Sequence, residues 1–188
     1  MDEILEFRNA RSWQTWLAKN HARSPGVWLR LAKKASGLQS VTYAEALDVA
    51  LCHGWIDGQK KPDSASAWLQ RFVPRTGRSI WSRINREKAL ALIDAGRMKP
   101  AGLAAIERAK ASGRWETAYD SHRTATVPAD LQAEFDRNPR AAKFFATLDR
   151  ANRYAVLFRI QTARKPETRQ RRISQFVAML AKGEKLHP

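Results

Sequence analysis

The strongest constraint on the fold lies in residues 47–85, where the hydrophobic period of the chain changes from about 3.6 residues to 2. Thr42-Tyr43-Ala44-Glu45 opens a helix as a capping box, and Tyr43, Ala46, Leu47, Ala50 and Leu51 share one of its faces. Gly54 suits the left-handed residue that ends such a helix. Residues 55–60 then read as a strand, Asp63-Ser64 as a reversal, and residues 67–73 as the antiparallel return that Pro74 stops. A helix feeding directly into a hairpin points to an α+β fold.

The flanks extend this reading. A short edge strand closing at Phe7 precedes a helix capped by Asn9 or Ser12, with Trp13, Trp16 and Leu17 on one side. After the turn Ser24-Pro25-Gly26, residues 27–33 mix β-branched, aromatic and aliphatic side chains as a strand does. A further helix is expected from Ser79 or Ser82 to Gly96, carrying Ile84, Ala91 and Leu92 inward, and another from Pro100 through Leu103, Ile106 and Ala109 to Ser112-Gly113. Residues 128–135, 139–148, 150–163 and 166–180 are four helix-sized segments punctuated by Pro or Asn. The expected architecture is a small antiparallel sheet of three to four strands packed with helices, followed by an all-helical C-terminal region. Its expected divisions are a core domain over 1–120, a linker over 121–127 and a helical region over 128–188.

Composition bounds the partners more than the chemistry. The 188 residues are 44% hydrophobic, enough for one proper core, and 34 Lys and Arg against 18 Asp and Glu leave a formal charge of +16. Such an excess points to a polyanion or, equally, to a solvated basic surface. The single Cys52 permits no intrachain disulfide and fits a reducing compartment. The acidic start lacks a leader pattern and no apolar run reaches membrane-spanning length, so a cytoplasmic location without a membrane span is expected. With four scattered histidines and no phosphate-cradling G-x-x-x-x-G-K-[ST] motif, no metal and no cofactor are expected, and ATP hydrolysis by that route is excluded.

Four constellations carry possible chemistry. A helix starting near Ser79 or Ser82 would aim free N–H groups at an anion, with Arg75, Arg78 and Arg83 adding charge, although Ser-x-x-Ser is also ordinary capping. His53 and Asp57 stand near one helix end; an Asp with a His suits acid–base work, whereas an Asp paired with Arg suits a hairpin corner. Of the seven tryptophans, Trp55 and Trp81 are the candidates for a ligand surface, the rest fitting core positions. Arg164, Lys165, Arg169, Arg171 and Arg172 on the last helix form a possible track for a phosphate backbone, or the polar face of a surface helix.

Several pieces together, Trp13-x-x-Trp16-Leu17, Gly26-Val27-Trp28, Thr42-Tyr43-x-Glu45-Ala46-Leu47, Leu51-Cys52-His53-Gly54-Trp55-Ile56-Asp57-Gly58, Phe72-x-Pro74-Arg75 and Ser79-x-Trp81-Ser82-x-x-Asn85, resemble the bacterial YdeI/OmpD-associated, bacteriocin-protection family. So do Val127-Pro128-x-Asp130-Leu131 and residues 163–173, so the resemblance spans nearly the whole chain. It implies a protective phenotype and defines no catalytic residues. A basic chain does not suit direct capture of cationic peptides, which implies an intracellular or indirect role.

The leading expectation is a non-enzymatic binder of an anionic small molecule or phosphate-bearing ligand. Lys33 and Arg75 would supply charge, Ser79 and Ser82 donors, Trp81 a stacking wall, and Asp57 an anchor for Arg75, with Asn85 at the same corner. The alternatives are nucleic-acid binding through the last helices and an enzyme using His53 and Asp57. Sequence sets no oligomeric state.

Overall fold

The computed structural model describes residues 3–188. It is an α+β fold with four strands and eight helices among those residues: β1 (Ile4–Leu5), α1 (Ala10–Asn20), β2 (Val27–Ala32), α2 (Tyr43–Cys52), β3 (Trp55–Pro62), β4 (Ala67–Pro74), α3 (Arg83–Asp94), α4 (Pro100–Ala111), α5 (Ala129–Arg137), α6 (Pro139–Thr147), α7 (Arg150–Gln161) and α8 (Pro166–Ala181). No helix among the described residues is long and apolar enough to cross a membrane. The chain forms two compact units, one running up to Trp81 and resuming over Asn85–Glu116, the other made of Ser82–Ile84 and Thr117–Pro188.

The first unit holds the sheet, in the order β1-β2-β4-β3. β4 pairs antiparallel with both β2 and β3, but β1 runs parallel to β2, so the sheet is mixed where a purely antiparallel one was expected. The reason is the connection: α1 carries the chain back across the sheet, and such a crossover delivers parallel strands, whereas the short β3–β4 turn delivers antiparallel ones. Register sorts the side chains. Val27, Leu29 and Leu31 lie on the same face as Phe72 and Trp55 and are buried. Trp28, Arg30, Arg71 and Lys61 point the other way.

Aromatic rings fill the buried face. Trp13 stacks on Trp16 at 5.4 Å between centroids and meets Phe7 at 5.3 Å, Phe72 at 5.8 Å and Trp55 at 6.3 Å. The two fully buried indoles among these keep their N–H groups satisfied, Trp13 donating to the Ala46 carbonyl and Trp55 to the His21 carbonyl, both at 3.1 Å. Both helix starts read from sequence are present: Asn9 caps α1 through the Ser12 N–H, and Thr42 and Glu45 form the reciprocal capping box of α2.

α2 and α4 meet through glycine. Gly54, at φ +73°, closes α2, and a Cβ there would stand 2.6 Å from the Ala101 carbonyl oxygen; a Cβ on Gly102 would stand 2.4 Å from the Cys52 carbonyl oxygen and 2.8 Å from that of Leu51. The Lys99 N–H donates to the Cys52 carbonyl at 3.1 Å in the same crossing. On α4, Ile106 and Ala109 are buried as expected, together with Gly102 and Ala105 at this contact, whereas Leu103, also expected inward, is exposed. α3 buries Leu92, as expected, and Ala89, while Ile84 and Ala91, also expected inward, are exposed, and Lys88 pairs with Asp48 of α2 at 2.8 Å.

The second unit is helical around Leu131, Phe135, Phe145, Val156, Leu157, Ile160, Ile173, Phe176 and Leu180, with α5 to α8 at the four segments read from the sequence. Ala125 and Val127 pack against that core. Within the same unit the Arg83 N–H donates to the Tyr119 carbonyl at 2.9 Å and the Arg83 guanidinium pairs with Asp120 at 3.1 Å. Buried Asn152 accepts from the His187 N–H at 2.8 Å and donates to the Asp149 carboxylate, fastening the C-terminal residues to α7.

The glycine crossing yields the first test. Gly102→Ala is expected to lower the unfolding free energy by about 1–3 kcal/mol, the usual cost of forcing atoms into a packed contact. Urea denaturation reads it; an unchanged midpoint would mean that the two helices separate without cost.

Candidate functional site

The site is built outward from the end of α2. Gly54 turns the chain into β3, and its carbonyl accepts the Arg75 N–H at 2.9 Å, one step beyond the Trp55–Pro74 pairing. Arg75 therefore leaves β4 held at the backbone. Its guanidinium lies over the Trp81 ring, 3.5 Å from the centroid, and Nη1 donates to the Ile80 carbonyl at 3.1 Å. Trp115 meets Trp81 edge-on at 4.8 Å. Arg75 is 6% exposed and Trp81 3%, so the indole is a support beneath the cation and presents no open stacking wall of the kind expected for Trp81.

Residues 76–79 form a self-contained turn. The Thr76 N–H donates to the Ser79 hydroxyl at 2.9 Å, the Ser79 N–H to the Thr76 carbonyl at 3.1 Å, and the Arg78 N–H to the Thr76 hydroxyl at 3.3 Å. Ser79 thus closes a turn, and α3 begins at Arg83, directly after Ser82, so of the two expected starts the one near Ser82 is present and the one at Ser79 is not. The hydroxyl finds a nearer backbone donor in its own turn.

Arg75, Thr76, Gly77, Ser79 and Trp81 share a hollow with residues 105–114 of α4 and its exit, which contribute Arg108 and Arg114. The hollow measures about 10 Å³, room for one water-sized group. Three arginines line it and none of its lining residues is acidic. The negative end of α4 opposes an anion there, but its carbonyls are already engaged: that of Ala109 accepts from the Ser112 hydroxyl and from the Arg114 and Trp115 N–H groups, and that of Lys110 from the Gly113 N–H.

The other expected members of the corner lie elsewhere. Asp57 stands opposite Phe72 in the β3–β4 register, and its carboxylate accepts the Tyr43 O–H at 2.8 Å. The Lys33 ammonium donates to the Ser64 and Ala65 carbonyls at 2.8 and 3.2 Å, at the β3–β4 turn, and lines a different hollow. Ser82 bridges to Tyr119 in the second unit. Asn85 lies in the first turn of α3 and does not line the Arg75 hollow. Trp55 is fully buried. His53 and Asp57 hold separate partners, since the His53 ring engages the Val49 carbonyl at 3.0 Å and meets the His21 ring at 5.6 Å. Arg108 and Arg114 escaped the sequence reading because nothing local marks them; only the α2–α4 crossing brings them beside Arg75.

The cations of the last helix divide in two. Arg169 grips Asp130 through two nitrogens at 2.6 and 2.8 Å and donates Nη1 to the Ile160 carbonyl at 3.0 Å, while Arg172 donates to the Arg159 carbonyl. These two fasten α8 to α5 and to the C-terminal end of α7, and Arg169 holds the Asp130 carboxyl below its ordinary value. Arg164, Lys165 and Arg171 are exposed. Among the described residues no three His, Cys, Asp or Glu side chains stand together as a metal site.

Two family models match the chain. One, described as "Domain of unknown function (DUF8412)", matches residues 5–105. The other, described as "Bacteriocin-protection, YdeI or OmpD-Associated", matches residues 124–183, a shorter stretch than the near-complete resemblance expected from the motifs. No curated protein and no solved structure matches the chain.

The histidine at the start of this corner carries a test of its own. Burial holds the His53 pKa below the ordinary histidine value of about 6.5, against the opposing pull of the Val49 carbonyl. The unfolded chain therefore takes up that proton first, and the stability due to neutral His53 is complete above about pH 6.5 and lost as pH falls below it. His53→Gln is expected to flatten the fall in unfolding free energy between about pH 7 and 5.5. Parallel pH profiles for the two proteins in urea titrations would show that another group governs the fall.

Proposed function

Because the chain belongs over residues 5–105 to the family described as "Domain of unknown function (DUF8412)", and carries a bacteriocin-protection, YdeI or OmpD-associated region over 124–183, we propose its function from the geometry: it is a non-enzymatic, cytoplasmic binder of a compact anionic group, seated at Arg75, Arg108 and Arg114. The observation that carries this reading is that three arginines line one hollow with no acidic residue among its lining. The small volume selects the group. A phosphoryl or sulfuryl head meets the planar donors at the rim, while the rest of its molecule stays outside.

Arg75 is the fixed member, positioned by Gly54, Ile80 and Trp81; Arg108 and Arg114 are the adaptable ones. Preorganisation of Arg75 lowers the ordering cost that a flexible cation bears on binding. The separate partners of His53 and Asp57 support binding over acid–base chemistry. The use of Arg169 and Arg172 as fasteners weakens the case for nucleic-acid binding through α8.

Calorimetry with inorganic phosphate, pyrophosphate and sulfate tests the proposal. Arg108→Ala/Arg114→Ala, both outside the buried core, is expected to keep the native circular dichroism spectrum and to bind pyrophosphate about tenfold more weakly or worse, the loss appropriate to charged hydrogen bonds. Heat of binding identical in the two proteins, or none in the native one, would discard the site.

A further inference from the structure

A second cationic surface lies at the far end of the same sheet, and its character is different. Lys33, Lys60, Lys61, Pro62 and Trp68 line an open hollow of about 450 Å³. Lys60, Lys61 and Pro62 belong to β3, the edge strand of the sheet, and Trp68 is the register partner of Pro62 on β4. Trp68 is partly exposed, unlike the buried Trp13, Trp55 and Trp81. It is steadied from behind by Tyr43, whose ring lies 6.0 Å away.

No lining residue of this hollow is acidic. The two carboxylates nearest to it along β3 and its turn are engaged: Asp57 accepts from Tyr43, and Asp63 pairs with Arg30 at 3.0 Å. Lys33 uses two of its three N–H donors on the Ser64 and Ala65 carbonyls, which fixes its ammonium at the turn and leaves a third donor for a ligand. Consecutive residues of a strand project to opposite faces, so Lys60 and Lys61 flank the edge on both sides. Lys61 reaches over the Trp28 ring at 4.4 Å, the other partly exposed indole of this sheet.

We propose that the β3 edge, with Trp68 as stacking wall and Lys33, Lys60 and Lys61 as phosphate contacts, binds single-stranded nucleic acid. The combination favours this occupant. Ammonium groups on flexible stems match a phosphate chain that offers no fixed geometry, and an accessible indole flanked by them takes an unpaired base, which a duplex does not present. An acidic peptide satisfies the lysines and leaves the indole without a planar partner. The site is independent of the Arg75 hollow, with which it shares no lining residue.

Titration of tryptophan fluorescence with an oligothymidine, repeated across salt concentrations, tests the proposal. Lys60→Ala/Lys61→Ala is expected to weaken binding at least about tenfold at low salt and to reduce the slope of log affinity against log salt by about 1.4, two contacts at roughly 0.7 each. Arg140→Ala/Lys143→Ala, which removes the same charge from exposed positions of α6, is expected to change neither. Trp68→Leu is expected to remove most of the quenching and weaken binding about tenfold. Equal loss in the two charge pairs, displacement of the oligonucleotide by polyglutamate, preference for a duplex of equal length, or no binding at all would each overturn the proposal. Pyrophosphate calorimetry on Lys60→Ala/Lys61→Ala separates the two sites, because failure at the Arg75 hollow leaves the oligonucleotide result standing.

Discussion

Backbone contact between the end of α2 and the start of α4 is the constraint on which the first unit depends. At this point two chain segments approach closer than any side chain allows, so both Gly54 and Gly102 are required by space, and Gly54 by its left-handed conformation as well. Its consequences are directional. Gly54 hands the chain into β3 and fixes Arg75 by a backbone hydrogen bond; Gly102 lets α4 lie against the same turn, which sets Arg108 beside Arg75. A bulkier residue at either position pushes α4 away and opens the hollow before it alters any arginine.

The charge of +16 takes on a different meaning once its carriers are located. Several arginines are fastened to backbone carbonyls: Arg23 to Lys19, Arg86 to Trp115, Arg153 to Ala146, Arg169 to Ile160 and Arg172 to Arg159. Many of these carbonyls lie at or near helix C-terminal ends, where the partial negative charge of the backbone favours a cation and where the last carbonyls lack helical partners. Part of the basic excess therefore serves helix termination and packing. Net charge counts such residues with those that face solvent, so composition alone overstates the surface available to a polyanion.

The sequence made the elements legible because their determinants are local. Asn9, the Thr42–Glu45 box, Gly54, the Asp63-Ser64 reversal and the prolines at 100, 139 and 166 each act within a few residues. The direction of β1 was not legible, since two residues carry no period and their partner is set by the path of α1. The site was half legible. Arg75 and Trp81 were identified and do stand together, but Asp57 was assigned to Arg75 on proximity in the hairpin alone, and pairing register places it across from Phe72 with Tyr43 above it. Ser79 read as a helix cap because a hydroxyl that caps a helix and one that closes a four-residue turn have the same sequence signature.

The two cationic hollows of the first unit separate by stiffness rather than by charge. Each has three cationic lining residues and no acidic one. In the first, a guanidinium pressed on an indole and bonded to Ile80 cannot follow a ligand that moves, and the space beside it admits only a compact group. Under the proposed function, selectivity there would come from fixed donors whose ordering is already complete before binding. In the second, Lys60 and Lys61 on an edge strand and Lys33, held at the turn, border an open hollow some tens of times larger. A rigid site of this kind discriminates among anionic groups and gains little from chain length, whereas a compliant one gains with each added phosphate and discriminates poorly. On the two proposals above, the same sheet places a selective contact at one end and a tolerant one at the other, with Gly54 setting the first and the β3 edge setting the second.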